Sequence, residues 1–456
     1  MQNREMKSEK FNVGDFDKNA KTHTLNLEMV FPFGNIEFIK MDRQVMRMDW
    51  FPRENYLKKI RDFYHATDII KVITGVRRCG KSCLMGTIAD ELKKGGIPES
   101  NIIYFDLDSD AYNQITKADQ LKQLIQSVRE AKGTKYLFID EVQNVEGFEI
   151  VLNGFRGTDG WSIFITGSNS YLLSGELMTK LTGRYIEFEM FPLSFEEYEG
   201  IKKFYGKEIA ADRQVELQSY ILEGGFPRTI LLDSMAAKRR YVKSVIEEIY
   251  DKDIKRRLKI RNKSTFETVQ RYIINNFGAT TSLKSLKKAI EQTGTPISEA
   301  TIARYIKALL DAKILYECPR FDMKSKKSLS GEKKYYLADL SFYYVQNTDN
   351  RINYGPVLEN ITYIYARSHD YSVSVGRIGR LECDFILRDN DMRYSYVQVS
   401  YTIALSKETE DREYRPLESI RDNYPKYVVT VDPLLQQRNG IVHINLIDFM
   451  KDGKEF

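Results

Sequence analysis

A glycine-rich segment at residues 75–82 holds the residue types and the spacing that bind phosphate groups. Its members are Gly75, Val76, Arg77, Arg78, Cys79, Gly80, Lys81 and Ser82. Glycines allow consecutive backbone N–H groups to turn inward and meet phosphate oxygens. A lysine at this spacing reaches the β- and γ-phosphates of a nucleotide, and the hydroxyl after it ligates Mg²⁺. The segment therefore predicts a site for a nucleoside triphosphate and Mg²⁺ in which Lys81 and Ser82 carry the chemistry.

The flanks of this segment favour a strand before it and a helix after it. Residues 69–73 form a β-branched run that is typical of a buried strand. After the segment, Leu84, Ile88 and Leu92 recur at helical spacing. A helix that starts here, with Cys83 in its first turn, adds its positive dipole end to the phosphate site. The order of strand, glycine loop and helix argues against a chance glycine turn.

Two carboxylates follow the next apolar run, residues 135–139. Asp140 would hold Mg²⁺ directly or through a water molecule, because an acid at a strand end beside the phosphate loop takes that role. Glu141 would polarise the attacking water as the general base. The alternative is a strand that ends in a solvated acidic turn.

Three further residues are weaker candidates for the same site. Ser168 and Asn169 follow the apolar run 161–166, where they could contact the γ-phosphate or the water, or could form only a turn. Arg184 precedes the run 185–190 and could act as a catalytic arginine that stabilises transition-state charge. It could do so in its own subunit or in a neighbour's, or it could be a surface arginine at the start of a strand.

Taken in order, these motifs resemble the AAA-type ATPases of prokaryotes that carry a C-terminal domain of the DUF4143 type. The resemblance rests on residues 72–82, 138–143, 165–169, 181–184, 191–198 and 224–227. It implies an α/β fold: a P-loop NTPase parallel sheet with a helical lid, a winged-helix domain and a C-terminal α/β nuclease-like domain. The expected boundaries are a polar N-terminal extension at 1–48, the ATPase core at 49–200, the lid at 201–262, the winged helix at 263–338 and the nuclease-like domain at 339–456.

Composition limits the remaining classes of function. The 456 residues carry a net charge of +5, which is too mild to argue for nucleic acid by itself. No apolar run approaches the roughly 18 residues that a membrane span needs, and the N-terminal residues contain no signal-like apolar core. The four cysteines and four histidines have no metal or disulfide spacing. We expect a cytoplasmic protein with no membrane partner.

The winged-helix interpretation predicts DNA as a partner. Arg304 and Lys307 would lie on the exposed face of the third helix, which can dock in a major groove. The wing would lay its cations on the phosphate backbone; they are Lys324, Lys326, Lys327, Lys333 and Lys334. The alternative is a domain that packs internally or against a protein client or a second copy of the chain, with solvated lysines.

The C-terminal residues resemble the PD-(D/E)xK nuclease core. That core needs an acid on a helix, an acid before one strand, and acid-x-lysine on the next, and it binds Mg²⁺ through the acids. Glu359 and Asp384 match the first two positions, but Gln398 and Ser400 stand where the second pair is expected. We therefore expect no strong nuclease activity unless a migrated lysine such as Lys407 serves instead. The fold would be retained for binding or assembly.

The leading functional prediction is a Mg²⁺-dependent ATPase in which hydrolysis repositions the later domains. A nucleotide-gated DNA-binding or assembly module with slow turnover is the second hypothesis, and a metal-dependent nuclease is the third.

Overall fold

The structure is a computed structural model that describes residues 50–128, 132–158, 160–167, 183–255, 258, 260, 262–325, 327–347 and 351–451. The predicted N-terminal extension lies outside these residues, as do Ser168, Asn169 and Lys326. Within the described part of the chain, no helix is long and apolar enough to cross a lipid bilayer.

The first layer is a parallel sheet. Among the described residues it has five strands in the spatial order β2-β3-β4-β1-β5, where the strands are β1 (Ile70–Gly75), β2 (Ile102–Asp106), β3 (Lys135–Asp140), β4 (Trp161–Thr166) and β5 (Tyr185–Met190). The covering helices are α1 (Glu54–Arg61), α2 (Lys81–Lys94), α3 (Ala118–Ser127) and α4 (Phe148–Arg156). The strands are buried on both sides, which explains their almost continuous apolar sequence.

Successive residues of each strand face opposite sides of this sheet, so it has two apolar cores. Ile73, Phe138 and Phe164 pack with residues of α1 and α2. Val72 and Ile139 face the other way and pack with residues of α3 and α4. The predicted α/β core is confirmed.

A helical lid follows the sheet. It contains α5 (Phe195–Phe204), α6 (Arg213–Glu223), a short 3₁₀ turn (Pro227–Leu231), α7 (Met235–Glu248) and a π-helix (Ile249–Ile254). Helix α5 begins at Phe195 because Ser194 and Glu197 form a reciprocal N-terminal cap.

Three helices and a hairpin come next, in the order expected of a winged helix. They are α8 (Lys263–Asn275), α9 (Leu283–Glu291), α10 (Glu299–Asp311), β6 (Leu315–Asp322) and β7 (Lys327–Leu337). The rest of the described chain forms α11 (Ser341–Gln346), α12 (Tyr354–Ser368), β8 (Ser372–Ile378), β9 (Leu381–Arg388), β10 (Tyr394–Val399), α13 (Lys407–Glu418), β11 (Lys426–Thr430), β12 (Gln437–Arg438), β13 (Ile441–Asn445) and α14 (Leu446–Phe449).

The hairpin and the C-terminal strands share one sheet. Its order, over the described residues, is β12-β13-β11-β10-β9-β8-β6-β7. Strand β6 pairs in parallel with β8, where Arg320 lies opposite Val375. The expected boundary at 338/339 therefore does not separate two sheets. A hairpin read from local sequence cannot show that it pairs with a strand more than fifty residues away.

Candidate nucleotide site

The phosphate-binding loop begins where β1 ends. Gly75 has φ +139°, and a Cβ atom there would lie 2.1 Å from the Met190 carbonyl oxygen. Gly80 has φ +108° and immediately precedes α2. Both positions therefore need glycine, the first for space and backbone conformation and the second for conformation. These are the two glycines that the sequence motif predicts for a phosphate cradle.

Lys81 lies inside the loop that it terminates. Its Nζ donates hydrogen bonds to the carbonyl oxygens of Gly75 at 3.0 Å and Val76 at 3.3 Å, and the residue is buried. It stands at the first position of α2, where the N–H groups of the first turn have no intrahelical acceptor. An ammonium group and free N–H donors in one concave loop fit a phosphate chain.

Asp140 meets Ser82 at the carboxyl end of the sheet. The Ser82 hydroxyl hydrogen-bonds to the Asp140 carboxylate. The Thr166 hydroxyl also donates to Asp140 Oδ1, and the Tyr104 hydroxyl lies 3.3 Å from Oδ2. Burial raises the pKa of Asp140 above its ordinary value, and the charge of Glu141 adds to this, while the bonds from Ser82 and Thr166 oppose it. The two predicted Mg²⁺ ligands are thus adjacent, and a divalent cation suits a buried carboxylate of this kind.

Glu141 follows Asp140 in a left-handed backbone conformation, with φ 55°. Its N–H donates to Thr166 Oγ1 at 3.1 Å, and the side-chain amide of Gln143 donates to Glu141 Oε2. The carboxylate is partly exposed beside the loop, as a general base requires.

The sequence reasoning missed Thr166, which bonds to both acids of the site. The signal was its place as the last residue of an apolar strand. Because Ile139 pairs with Ile165 in the parallel sheet, the next residue on each strand, Asp140 and Thr166, must also be neighbours.

Arg53 is a second residue that the sequence did not reveal. Its guanidinium donates to the carbonyl oxygens of Cys79 at 3.2 Å and Phe191 at 2.7 Å and pairs with the Glu197 carboxylate. Burial alone lowers the pKa of Arg53, but the Glu197 charge more than offsets this and raises it above its ordinary value. Arg53 thus links the phosphate-binding loop, through the Cys79 carbonyl, to the segment that follows β5, through the Phe191 carbonyl.

Arg184 lies away from the phosphate-binding loop of its own subunit. The Arg184 carbonyl accepts a hydrogen bond from the N–H of Ile70, the first residue of β1. The phosphate-binding loop follows the other end of β1, and six strand residues at about 3.3 Å each separate the two ends. The strands are parallel, so Arg184 lies at the opposite edge of the sheet. A role in a neighbouring subunit stays a prediction.

The predicted basic wing is only partly basic. Lys334 is buried within the protein, and Lys333 pairs with Glu317 at 2.7 Å. Lys324 and Lys327 are exposed, as is Arg304 on α10. Alternate residues of a strand face opposite sides, so adjacent lysines on β7 could not both point to solvent.

The nuclease-like residues form a buried pocket around Lys334. Glu359 on α12 and Asp384 on β9 come together there, as predicted. The Lys334 Nζ lies 3.1 Å from Glu359, 3.0 Å from Glu382 and 3.9 Å from Asp384. The lysine therefore enters from β7, upstream of both acids.

Three other residues that the nuclease comparison singled out, Lys407, Gln398 and Ser400, make contacts that leave no catalytic group beside Glu359 and Asp384. Lys407 is exposed and pairs with Glu410 on its own helix at 3.0 Å, so it is not the migrated lysine. The Gln398 amide donates to Glu413 at 3.1 Å, and the Ser400 hydroxyl donates to the Thr402 carbonyl at 3.3 Å.

The fold and the site define the class of protein: an AAA-type P-loop ATPase fold. Residues 67–199 match the AAA domain family, and residues 214–350 match a domain of unknown function, DUF8612. The second match corrects the expected DUF4143 assignment. The sequence motifs that suggested DUF4143 lie mostly in the ATPase core and do not report on the later domains.

The proteins that resemble this chain include two relatives in sequence and one solved structure. An uncharacterized protein of Haemophilus influenzae is 34% identical over 87% of this chain and 98% of its own length. The uncharacterized protein MJ1544 of Methanocaldococcus jannaschii is 29% identical over 77% of this chain and 79% of its own length. The Walker-type ATPase PABY2304 of Pyrococcus abyssi aligns over 66% of this chain and 97% of its own, with 15% identity and a TM-score of 0.48. The chain belongs to the family of the Haemophilus protein.

Proposed function

We propose that this protein binds ATP with Mg²⁺ and hydrolyses it at the carboxyl end of the five-stranded sheet. The observation that carries the proposal is the meeting of Lys81, Ser82, Asp140 and Glu141 at one edge, with Thr166 bonded to both acids. They come from two segments of the chain, with Lys81 and Ser82 at the start of α2 and Asp140 and Glu141 at the end of β3, while Thr166 comes from a third, β4. Their convergence supports a reaction centre better than any one motif does.

Each residue has a distinct role in the proposed reaction. Lys81 and the loop N–H groups bind the β- and γ-phosphates, and Ser82 and Asp140 hold Mg²⁺, which neutralises charge on the phosphates when bound. Glu141 orients the attacking water and accepts its proton. Thr166 holds the two acids apart in a fixed arrangement by bonding to one carboxylate and to the backbone of the other.

The lid is attached to the later domains, which supports hydrolysis as a driver of domain movement. The N–H of Gly225, in the turn after α6, donates to Asp339 at 2.6 Å, and the rings of Phe226 and Phe342 lie 5.5 Å apart. On strand β5, Glu189 pairs with Lys313 and with Arg367. A change in lid position would therefore be transmitted to the eight-stranded sheet.

Variants of the loop and of the base test the proposal. Lys81→Ala should lose ATP binding and turnover. Glu141→Gln should keep ATP binding and lose turnover, because the amide cannot accept the proton. Radiolabelled ATP hydrolysis and equilibrium binding measure the two properties separately. Wild-type turnover in Lys81→Ala protein would refute the assignment.

DNA contact through α10 is a second candidate, favoured by the exposure of Arg304 and Lys307 on one face of that helix. The proposal predicts salt-dependent binding of duplex DNA that weakens in Arg304→Ala. Arg271→Ala, an exposed arginine on α8, is the matched control. Equal binding by both variants would count against an α10 interface. A mass measurement in ATP would show whether a neighbouring subunit can receive Arg184.

A further inference from the structure

Two arginines of the phosphate-binding loop contact the lid with their side chains. The Arg77 guanidinium makes a bidentate contact with the Asp253 carboxylate: Nε lies 3.0 Å from Oδ2 and Nη2 lies 3.2 Å from Oδ1. Arg78 binds the Glu248 carboxylate in the same paired way, with both distances 3.0 Å. Paired bonds of this kind fix orientation as well as distance. The loop and the lid are therefore held in one relative position.

The Arg77 guanidinium also faces the candidate general base. Its Nη2 lies 3.9 Å from Glu141 Oε2, and its Nη1 lies 3.4 Å from Glu248 Oε1. The side chains of Arg77 and Asp253 are 10% and 6% exposed. The Asp253 bonds are the shorter and the more buried, so they determine where the guanidinium sits. The contact with Glu141 then depends on the position of Asp253.

Asp253 lies in the π-helix of the lid, Ile249–Ile254. A π-helix is rare, occurs mostly as a single turn within an α-helix, and is frequent at functional sites. The neighbouring Tyr250 and Ile254 are buried in the apolar core. The chain continues from α7 as a π-helix and not as a regular α-helix. The packing of this π-helix places the Asp253 side chain against the phosphate-binding loop.

The backbone conformation of Arg78 is a second observation that connects the loop with the lid. Its backbone has φ 70°, a conformation that costs a residue other than glycine about 1–2 kcal/mol. Glycine would relieve this cost, but it would lose the paired bonds to Glu248. The strained position is compatible with a loop shaped partly for contact with the lid.

We propose that Arg77 is a positioning residue through which the lid controls Glu141; this inference rests on the proposed ATP hydrolysis. When the lid is seated, Asp253 fixes the guanidinium beside the Glu141 carboxylate, which is then held where it can accept a proton from water. When the lid lifts, Arg77 loses its paired partner and its long side chain becomes free to rotate. Glu141 then loses a fixed neighbour, and turnover is suppressed until the lid returns.

The test is Asp253→Asn, which keeps the size of the side chain and removes its charge. A small misplacement of a reacting group costs on the order of 100-fold in rate, so we expect kcat to fall about 10- to 100-fold. The Kd for ATP should change less than about threefold, because the loop donors and Lys81 are untouched. Asp251→Asn is the matched control. Asp251 lies in the same π-helix, and its pair with Lys255 is 3.9 Å long with both side chains more than half exposed.

Two further variants separate positioning from general damage to the lid. The double variant Arg77→Met with Asp253→Asn should fall no further in kcat than Arg77→Met alone, since both changes break the same link. Arg77→Lys keeps the charge and should recover part of the loss seen in Arg77→Met. Hydrogen exchange over residues 249–254 checks that the lid stays folded in each variant.

The outcomes for the inference and for the proposed function are distinct. Turnover that survives Lys81→Ala overturns the proposed function. Turnover that is lost in Lys81→Ala but kept in Asp253→Asn overturns the positioning role of Arg77 and leaves the proposed function standing. Equal losses in Asp251→Asn and Asp253→Asn, or additive losses in the double variant, would also overturn it.

Discussion

Replacing Lys334 with methionine should destabilise the C-terminal sheet strongly and in a pH-dependent way. Lys334 is the cation of a buried pocket that holds Glu359, Glu382 and Asp384. Burial alone lowers the pKa of Lys334, but the charges of Glu359, Asp384 and Glu382 raise it above its ordinary value. Burial raises the pKa of Asp384 well above its ordinary value, and Glu359 adds to this while Lys334 opposes it. The variant removes that opposition.

The cost can be bounded in two ways. Breaking a buried ion pair by removing one partner costs about 3–5 kcal/mol. The pocket can respond by protonating Asp384, whose ordinary pKa is 3.8. That protonation costs about 5 kcal/mol near pH 7.5 but less than about 2 kcal/mol near pH 5, since each pH unit is worth about 1.4 kcal/mol. We expect a loss of about 3–5 kcal/mol at the higher pH and less than about 2 kcal/mol at the lower.

The sign of this dependence follows from linkage. A carboxyl whose pKa is raised in the folded state binds its proton more tightly there than in the unfolded chain. The free energy of unfolding of the variant therefore increases as the pH falls towards 5. Wild-type stability also increases as the pH falls, because the pKa of Asp384 is raised there too, but less than in the variant, since Lys334 lowers that pKa; the difference between the two proteins should therefore narrow by the part of the shift that Lys334 opposes.

Local hydrogen exchange is the suitable assay, because a chain of several domains need not unfold in one step. Peptides that cover Tyr354–Ser368 and Leu381–Arg388 report on the pocket. Lys333→Met is the matched control: it is the adjacent residue on β7, its side chain is 40% exposed, and its pair with Glu317 is superficial. A surface pair is worth about 0–1 kcal/mol, so this variant should exchange almost as wild type. Similar exchange in both variants, or no narrowing at low pH, would refute the reasoning.

Three other changes test the support of the nucleotide site. Arg53→Met should lower the free energy of unfolding by about 3–5 kcal/mol, because it leaves the buried Glu197 unpaired; urea unfolding followed by hydrogen exchange of residues 75–82 measures this. Thr166→Val removes the hydroxyl that bonds to Asp140 and to the Glu141 N–H, at nearly constant side-chain volume. It should lower kcat about 10- to 100-fold in steady-state kinetics. An unchanged kcat would show that Thr166 does not contribute to the site. Burial lowers the pKa of Lys71 from 10.5 to about 7, so the wild-type protein loses stability as the pH falls from about 10.5 to about 7, where the unfolded chain binds the proton more tightly than the folded protein. The stability of Lys71→Met relative to wild type should therefore rise by about 4 kcal/mol as the pH falls from about 10 to about 6; thermal unfolding across this range gives the sign.

The nucleotide site was largely predictable because its motifs are local. Gly75 and Gly80 need only a strand before them and a helix after them, and the contacts of Lys81 stay within its own loop. Asp140 was found because the carboxyl ends of parallel strands meet at one edge of a sheet. The same logic, applied to the register of the sheet, would have found Thr166.

Long side chains and distant pairings were beyond the reach of sequence reasoning. The Arg53–Glu197 pair spans 144 positions and the Arg77–Asp253 pair spans 176. No spacing rule connects such residues, because their distance depends on how separate helices pack. The position of Arg184 depended on β5 pairing in parallel with β1, which the sequence of β5 by itself does not show.

The sequence by itself predicted the residues of the glycine-rich loop and the two acids at the end of β3. These predictions depend only on the backbone conformation of a few consecutive residues and on where a strand ends. Only the tertiary structure decided which cation enters the nuclease-like pocket and which residue of the lid faces the loop. Lys334 rather than Lys407 lies beside Glu359 and Asp384 because the β6–β7 hairpin joins the C-terminal sheet through β6, which pairs with β8 more than fifty residues further along the chain. The positions of the buried charges in this protein are thus set by packing between elements, whereas the conformation of the glycine-rich loop is set within a few residues.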